Sequence, residues 1–300
     1  MTAPLPGRRF SESRLRVALA SLCVPVGLDA RDAVLIKMTN NAVFHLPHDD
    51  VVVRMATTPA LFHRVAKVIA VARWLRGTPV PGVELDGRFD QPLRAGGTLA
   101  TVWRYARPIA PAPAPADLAQ IIRRWHGLPA PPFVLPAWDP VGDARRRLSD
   151  AAGLDDDDRA YLLERYDALE ADLAGFEPVL PAGVIHGDAH TGNLIPTDGG
   201  VVVCDFDNTC IGPREWDLVP SAYGAIRFGA PARHRQVVTA YGHDVTRLPT
   251  WPVLRTAREL QMVTSVVPVL AGNPRVAAQF RHRLRTIRAG DHTATWRPYT

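Results

Sequence analysis

The segment Val184 to Asp217, VIHGDAHTGNLIPTDGGVVVCDFDNTCIGPREWD, constrains the chain more than any other. Two apolar runs, Leu194-Ile195 and Val201 to Cys204, flank the tight-turn sequence Thr197-Asp198-Gly199-Gly200, so the spacing predicts a β-hairpin. A hairpin returns Asp205 close to Asn193, and Asp188 precedes the first strand near the same end. Two carboxylates and one amide are thereby expected at one mouth. Hard oxygen ligands of this kind suit Mg²⁺ held together with substrate phosphates.

Phosphoryl transfer uses such a set. One carboxylate accepts the proton of an attacking hydroxyl, while the amide and the second carboxylate hold metal against the phosphates. The Asp-x4-Asn spacing of Asp188 and Asn193 is that of the protein-kinase catalytic loop, with Asp205 in the place of the later metal-binding aspartate. Two rival chemistries share these residues. Asp205-Phe206-Asp207-Asn208-Thr209 matches the DxDxT nucleophile motif of haloacid-dehalogenase-type phosphatases, but no lysine follows position 67 and later acids are isolated. His186, Asp188 and His190 alternate as metal ligands on an extended segment would. Gly187 and Gly192 point to a loop instead, in which His186 and His190 are expected to brace the backbone by hydrogen bonds.

The segment resembles the signature of the aminoglycoside phosphotransferase family, whose members are protein-kinase-like small-molecule kinases. The pattern HGD-x-H-x-G-N is His186 to Asn193, the strand-ending aspartate is Asp205, and G-x-x-x-x-DL is Gly212 to Leu218. That resemblance implies Asp188 as catalytic base, Asn193 and Asp205 as Mg²⁺ ligands, and Asp217 as the brace of the catalytic loop. It extends more weakly to Arg73-Trp74-Leu75, Trp103-Arg104-Tyr105 and Arg124-Trp125-His126. It also implies a fold class: α+β, protein-kinase-like and two-lobed, with a small N-terminal antiparallel sheet plus helix and a larger, mainly helical C-terminal lobe.

The rest of the chain is consistent with that division. Val34 to Lys37, Ala42 to Leu46 and Val51 to Met55 read as an antiparallel meander. Pro59 opens a helix to about Trp74, and strands are expected near Val83 to Leu85 and at Leu99 to Tyr105. Ser11 opens an earlier amphipathic helix with Leu15, Ala18, Leu19 and Leu22 on one face. The Ala-Pro alternation of Arg107 to Asp117 favours an extended path out of the first lobe. This gives a nucleotide-binding lobe at 1–105 with a hinge at about 102–106, and a catalytic and acceptor-binding lobe at 107–300. Asp117 is expected to cap a helix to His126, and Asp155 to Asp158 to start another to about Leu173. Two or three helices are expected over 220–290.

In the first lobe, Arg54 on the strand VVVRM is the expected anchor for the phosphates of ATP or GTP, with Lys37 behind it. The phosphate-covering loop is Thr39-Asn40-Asn41, without glycine; Asn40 and Asn41 tolerate left-handed backbone and donate hydrogen bonds. Adenine is expected on backbone groups near Val102, Trp103, Arg104 and Tyr105. The cation lacks its usual helix glutamate: no Asp or Glu occurs between Val51 and Val83, and Lys67 or Val68 stands in its place. Arg54 is then held by the phosphates, by Asp205, or by a group the sequence does not identify.

Acceptor contacts are expected after Asp217. From Arg214 onward the acids are Glu215, Asp217, Asp244, Glu259 and Asp291, against many arginines, so an acidic pocket for a polycationic antibiotic is not evident. Asp244 and Glu259 are the candidates for an amine contact. The acceptor is a small hydroxylated molecule, an antibiotic among the options. The alternative to an enzyme is a kinase-like protein that binds nucleotide or ligand without transfer, suggested by the missing carboxylate and the glycine-free loop. The net charge of +5 rests almost wholly on arginine, with only Lys37 and Lys67 as lysines, and no basic tract with interleaved aromatics points to nucleic acid. No apolar run reaches the roughly 18 residues of a spanning helix. Cys23, Cys204 and Cys210 form no CxxC pair, which fits a reduced cytoplasm.

Overall fold

Alternating apolar residues build the N-terminal sheet. The computed structural model describes residues 12–38, 41–56, 62–149, 151 and 153–299. Val34–Met38 (β1), Asn41–Leu46 (β2) and Val51–Ala56 (β3) form an antiparallel meander, each one residue longer than its apolar run. Ala42, Phe44 and Leu46 lie opposite Met55, Val53 and Val51, and all six are buried. Leu15, Leu19, Leu22 and Cys23 of the helix Glu12–Cys23 (α1) join them in one core. Burying Leu19 and Leu22 contributes about 2 kcal/mol each. Ser11 and Pro59, expected to open helices, lie outside the described residues.

The sheet also carries a polar rung. Lys37 lies opposite Val43, Val43 opposite Arg54, and Arg54 opposite Thr101. Leu93–Ala95 (β4) and Thr98–Arg104 (β5) complete the order β1-β2-β3-β5-β4. β4 joins β5 through Gly96-Gly97, both at positive φ (53° and 74°). The strand expected at Val83–Leu85 is not formed: two isolated bridges, Gly82 with Val203 and Leu85 with Trp103, stand there instead. The segment divides its backbone bonds between two partners: the Val83 amide donates to Val203 O, whereas Glu84 O accepts from the Arg104 amide and the Asp86 amide donates to Val102 O, so no ladder with a single strand forms. Phe62–Leu75 (α2) buries Val65, Val68, Ile69, Val71, Ala72 and Leu75. The hairpin of Leu194–Thr197 (β7) and Gly200–Val203 (β8) turns on Asp198-Gly199, with Gly200 at φ 110°. These elements make one compact unit, residues 1–114, 128–135 and 191–209.

The second unit, residues 115–127, 136–190 and 210–300, is mainly helical. Pro115–His126 (α3) starts two residues before Asp117, because proline is preorganised for a first helical position; Asp117 sits in the first turn and is not the cap. Gly142–Ser149 (α4) precedes Asp156–Ala174 (α5), where the Asp155 carboxylate accepts the Asp157 amide at 2.9 Å. Gly183–Ile185 (β6) pairs with Cys210–Gly212 (β9). Four helices follow where two or three are expected: Val219–Arg227 (α6), Pro231–Tyr241 (α7), Trp251–Thr264 (α8) and Pro274–Arg288 (α9). Each has proline in its first two positions, and Gly229 and Gly242 at positive φ divide the first three. No helix among the described residues is long and apolar enough to cross a membrane.

Candidate active site

The first unit brings together Lys37, Arg54, Asp205 and Asp207. β7 and β8 close on Leu194 opposite Val203, and the Cys204 amide donates to the Asn193 carbonyl at 2.9 Å. Asp205 follows directly and is left-handed, at φ 68° and ψ 69°. A non-glycine residue held there is a strained position of the kind functional sites retain. The single turn Phe206–Asn208 comes next, with Phe206 buried near the Trp103 ring. The left-handed residue and the turn end the strand's alternation, and the two carboxylates of Asp205-Phe206-Asp207 acquire different surroundings. Lys37 Nζ and Arg54 Nη2 stand 3.7 and 3.6 Å from the Asp205 oxygens, beyond hydrogen-bond length. Asp207 instead accepts a direct, very short hydrogen bond from Arg54 Nη2 and another from the Asn41 amide at 3.0 Å.

The partner of Arg54 is therefore Asp207, a residue that sequence reasoning missed. Its signal was the second acid of DxDxT, absorbed there into the phosphatase comparison. Lys67, which stands where the helix glutamate is expected, donates to the Asp207 and Thr209 carbonyls at 2.5 and 3.0 Å. α2 is thus fastened to the turn by a cation acting on backbone oxygens. Asn40 lies outside the described residues. At the expected backbone site for adenine, several groups already have partners within this unit. Val102 donates its amide to Gln91 Oε1 at 2.8 Å, and its carbonyl accepts from Gln91 Nε2 and the Asp86 amide, each at 2.9 Å. The Arg104 and Tyr105 amides are committed to Glu84 O and Asp50 O. Trp103 is buried, with its indole N–H on Thr101 Oγ1 at 2.7 Å, and Tyr105 stacks on His45 at 3.7 Å between ring centroids.

The second unit holds the Asp188 loop. Asp217 is almost fully buried and accepts the His186 and Gly187 amides, each at 2.8 Å, one on each carboxylate oxygen. His126 Nε2 lies 3.0 Å from the same carboxylate, and its Nδ1 is 2.8 Å from the Tyr241 hydroxyl. Gly187 stands at φ 85° and its carbonyl accepts the Trp216 indole N–H at 3.0 Å. The Asp188 amide donates to His186 Nδ1 at 3.3 Å, and Trp125 meets the His186 ring edge-on. Sequence reasoning also missed Arg258 on α8. Its Nη1 donates to Asp188 Oδ1 at 3.1 Å and to Gln261 Oε1 at 2.7 Å, while His190 Nε2 lies 3.5 Å from Asp188 Oδ2. Burial alone pushes the Asp188 carboxyl up; Arg258, then His190, then His186 outweigh it and hold it below the ordinary carboxylate range.

The two acids considered for an amine contact are differently placed. Glu259 is buried and accepts Arg227 Nε at 3.1 Å and Nη2 at 2.6 Å on one oxygen. Arg227 also donates to the Asp291 and Ala294 carbonyls and lies over the Trp296 ring. Glu259 is thus committed to an internal ion pair, which corrects its expected role. Asp244 caps the turn Val245–Arg247 through the Thr246 amide and hydroxyl and lies 3.2 Å from His234 Nε2. Among the described residues no group of three His, Cys, Asp or Glu is arranged to hold a metal by itself. The Asp205 carboxylate and the Asn193 side-chain amide are oxygen donors of the hard kind that Mg²⁺ shared with phosphates takes.

Comparison with known proteins identifies the family and the fold. The model of the APH family, described as the phosphotransferase enzyme family, matches residues 36–256. No curated protein matches the chain. Among solved structures, the amicoumacin kinase hAmiN in complex with AMP-PNP, Ca²⁺ and Ami superposes with a TM-score of 0.67 at 14% identity, over 94% of this chain and 95% of that one. A choline/ethanolamine kinase family protein from Mesorhizobium loti gives 0.58 at 20% identity, over 92% and 93%. The spectinomycin phosphotransferase APH(9)-Ia, in complex with ADP and spectinomycin, gives 0.58 at 14% identity, over 92% and 94%. The α+β, protein-kinase-like fold expected from the sequence is the fold these small-molecule kinases share.

Proposed function

This chain belongs to the phosphotransferase enzyme family, and on that footing we propose that it transfers the terminal phosphoryl group of ATP or GTP to a hydroxyl of a small molecule. The observation that carries the proposal is the Asp188 loop: a carboxylate held ionised by Arg258 and His190, on a backbone tied down by Asp217. Asp188 takes the proton of the attacking hydroxyl. Asp217 positions that base through the His186 and Gly187 amides, and His186 through the Asp188 amide. Arg54 anchors phosphate oxygens. Asn193 and Asp205 would hold Mg²⁺, which would supply charge neutralisation at the phosphates.

Arg258 also bears on the acceptor. A cation seated on the proposed base disfavours an ammonium group beside the reacting hydroxyl. A neutral or weakly charged hydroxylated molecule suits this surrounding better than a polycationic antibiotic. The alternative of a non-transferring binder drew on the missing helix carboxylate and the glycine-free loop; Asp207 gives Arg54 a carboxylate partner, which weakens the first of these grounds. A panel of hydroxylated metabolites and antibiotics, assayed for nucleotide-dependent phosphate transfer, tests the proposal. Asp188→Ala is expected to lose transfer while keeping the wild-type circular dichroism. Turnover near the wild-type rate in that variant removes Asp188 as the base.

A further inference from the structure

The Asp205-Phe206-Asp207 triplet presents two carboxylates to one arginine, and only one takes it. Arg54 Nη2 is in direct contact with Asp207 and stands 3.6 Å from Asp205. Three features fix that choice. The Asn41 amide donates to the same Asp207 oxygen that receives Arg54, at 3.0 Å. Lys67 on α2 grips the carbonyls of Asp207 and Thr209, holding the short turn against rotation. The buried Phe206 ring anchors the turn from its first residue. The Asp207 side chain is 11% exposed, whereas that of Asp205 is 31% exposed. Of the two acids, one is enclosed with a cation and the other is presented.

We infer that Asp207 is a positioning residue that captures Arg54 and so keeps Asp205 open for a divalent cation. The inference rests on the proposed nucleotide and metal roles of the same unit. Without Asp207, Arg54 has one neighbouring carboxylate left, Asp205, already within 3.6 Å. A charge-assisted hydrogen bond there occupies an oxygen that a metal would use, and adds positive charge beside it. Asp207 thus acts on the metal without touching it. Lys67 serves the same end from α2, where an acid reaching for Arg54 is absent.

The test measures affinity for AMP-PNP and GMP-PNP by calorimetry, with and without Mg²⁺, in the full chain. The quantity read is the ratio of the two dissociation constants for the analogue the wild type binds. Asp207→Asn is expected to bind the metal-free analogue at least as well as wild type, because it carries one negative charge fewer. Its gain from Mg²⁺ is expected to fall about tenfold, the size of a charge-assisted hydrogen bond. A merely structural role weakens both affinities alike and overturns the inference. The double variant Arg54→Gln with Asp207→Asn is expected to recover most of the Mg²⁺ gain, since no arginine remains to close on Asp205. A double variant as impaired as Asp207→Asn identifies Asp207 as a metal ligand and also overturns it. Wild type that binds neither analogue overturns the nucleotide reading itself, and this inference with it; unchanged Mg²⁺ gain in Asp207→Asn overturns the inference alone. If Asp207→Asn fails to fold, Asp207→Glu and Lys67→Met are read by the same ratio. Asp207→Glu is expected near wild type, and Lys67→Met is expected to lose part of the gain. An unchanged ratio in Lys67→Met, or a Mg²⁺ gain in Asp207→Glu that falls about tenfold, overturns it.

Discussion

Arg258 on α8 donates to Asp188 across 3.1 Å, so a helix near the C-terminus sets the ionisation of a loop carboxylate 70 residues earlier. The pair is more than surface decoration: the Arg258 side chain is 10% exposed. Burial and arginine pull the carboxyl in opposite directions, and the cations prevail.

Arg258→Gln removes the largest influence that lowers the Asp188 carboxyl. His190 and His186 then oppose burial without the arginine, and the carboxyl titrates at higher pH. The acidic limb of the kcat/KM profile is expected to move upward by roughly one to two pH units. An acidic limb in the wild-type place separates Asp188 from the rate. Stability follows the same sign. With its folded value depressed, Asp188 contributes stability above the ordinary carboxyl value of 3.8, and that contribution is lost as pH falls through the folded value.

Asp217→Ala leaves two buried backbone N–H groups without their acceptor. The cost is about 3 kcal/mol, read as a fall in the urea midpoint with unchanged slope. Phosphate transfer is expected to drop further than the unfolded fraction explains, because the base loses its placement. Proportional losses of fold and activity count against a positioning role.

Gly187→Ala forces an L-residue to φ 85° in the same loop. About 1–2 kcal/mol of destabilisation is expected, together with loss of transfer activity. Wild-type melting in this variant contradicts the left-handed placement.

Glu259→Ala leaves Arg227 buried without its carboxylate. A loss of about 4 kcal/mol is expected, with KM for the acceptor unchanged in whatever protein stays folded. A selective rise in KM without destabilisation returns Glu259 to the acceptor site.

What the sequence made legible was local. β7 and β8 are four residues each and joined by two, so turn chemistry alone fixed the register beside Asn193 and Asp205. The β1–β3 meander was equally plain, because its alternation is short-range. Partners drawn from far along the chain were not legible. Asp207 lies 153 residues from Arg54, and periodicity carries no information about which distant carboxylate a cation meets. Arg258 was one arginine among many on helices whose buried faces the sequence only outlines. Val83–Leu85 differs because its backbone bonds are shared between Val203 and the end of β5, partners that β propensity does not reveal. β4 was overlooked because three residues give no period, although Gly96-Gly97 marks its turn.

Gln91 has a last consequence. Its side-chain amide donates to Val102 O and accepts from Val102 N, as the backbone of a neighbouring strand would. β4 covers only Thr98 to Ala100 of β5, so Gln91 closes the ladder where that partner runs out. A foreign β-strand arriving at this border meets donors and acceptors already matched. Gln91, with the Asp86 amide on the same carbonyl, therefore leaves Val102 no backbone group to offer to edge-to-edge pairing, a local protection that Gln91→Ala would in part withdraw.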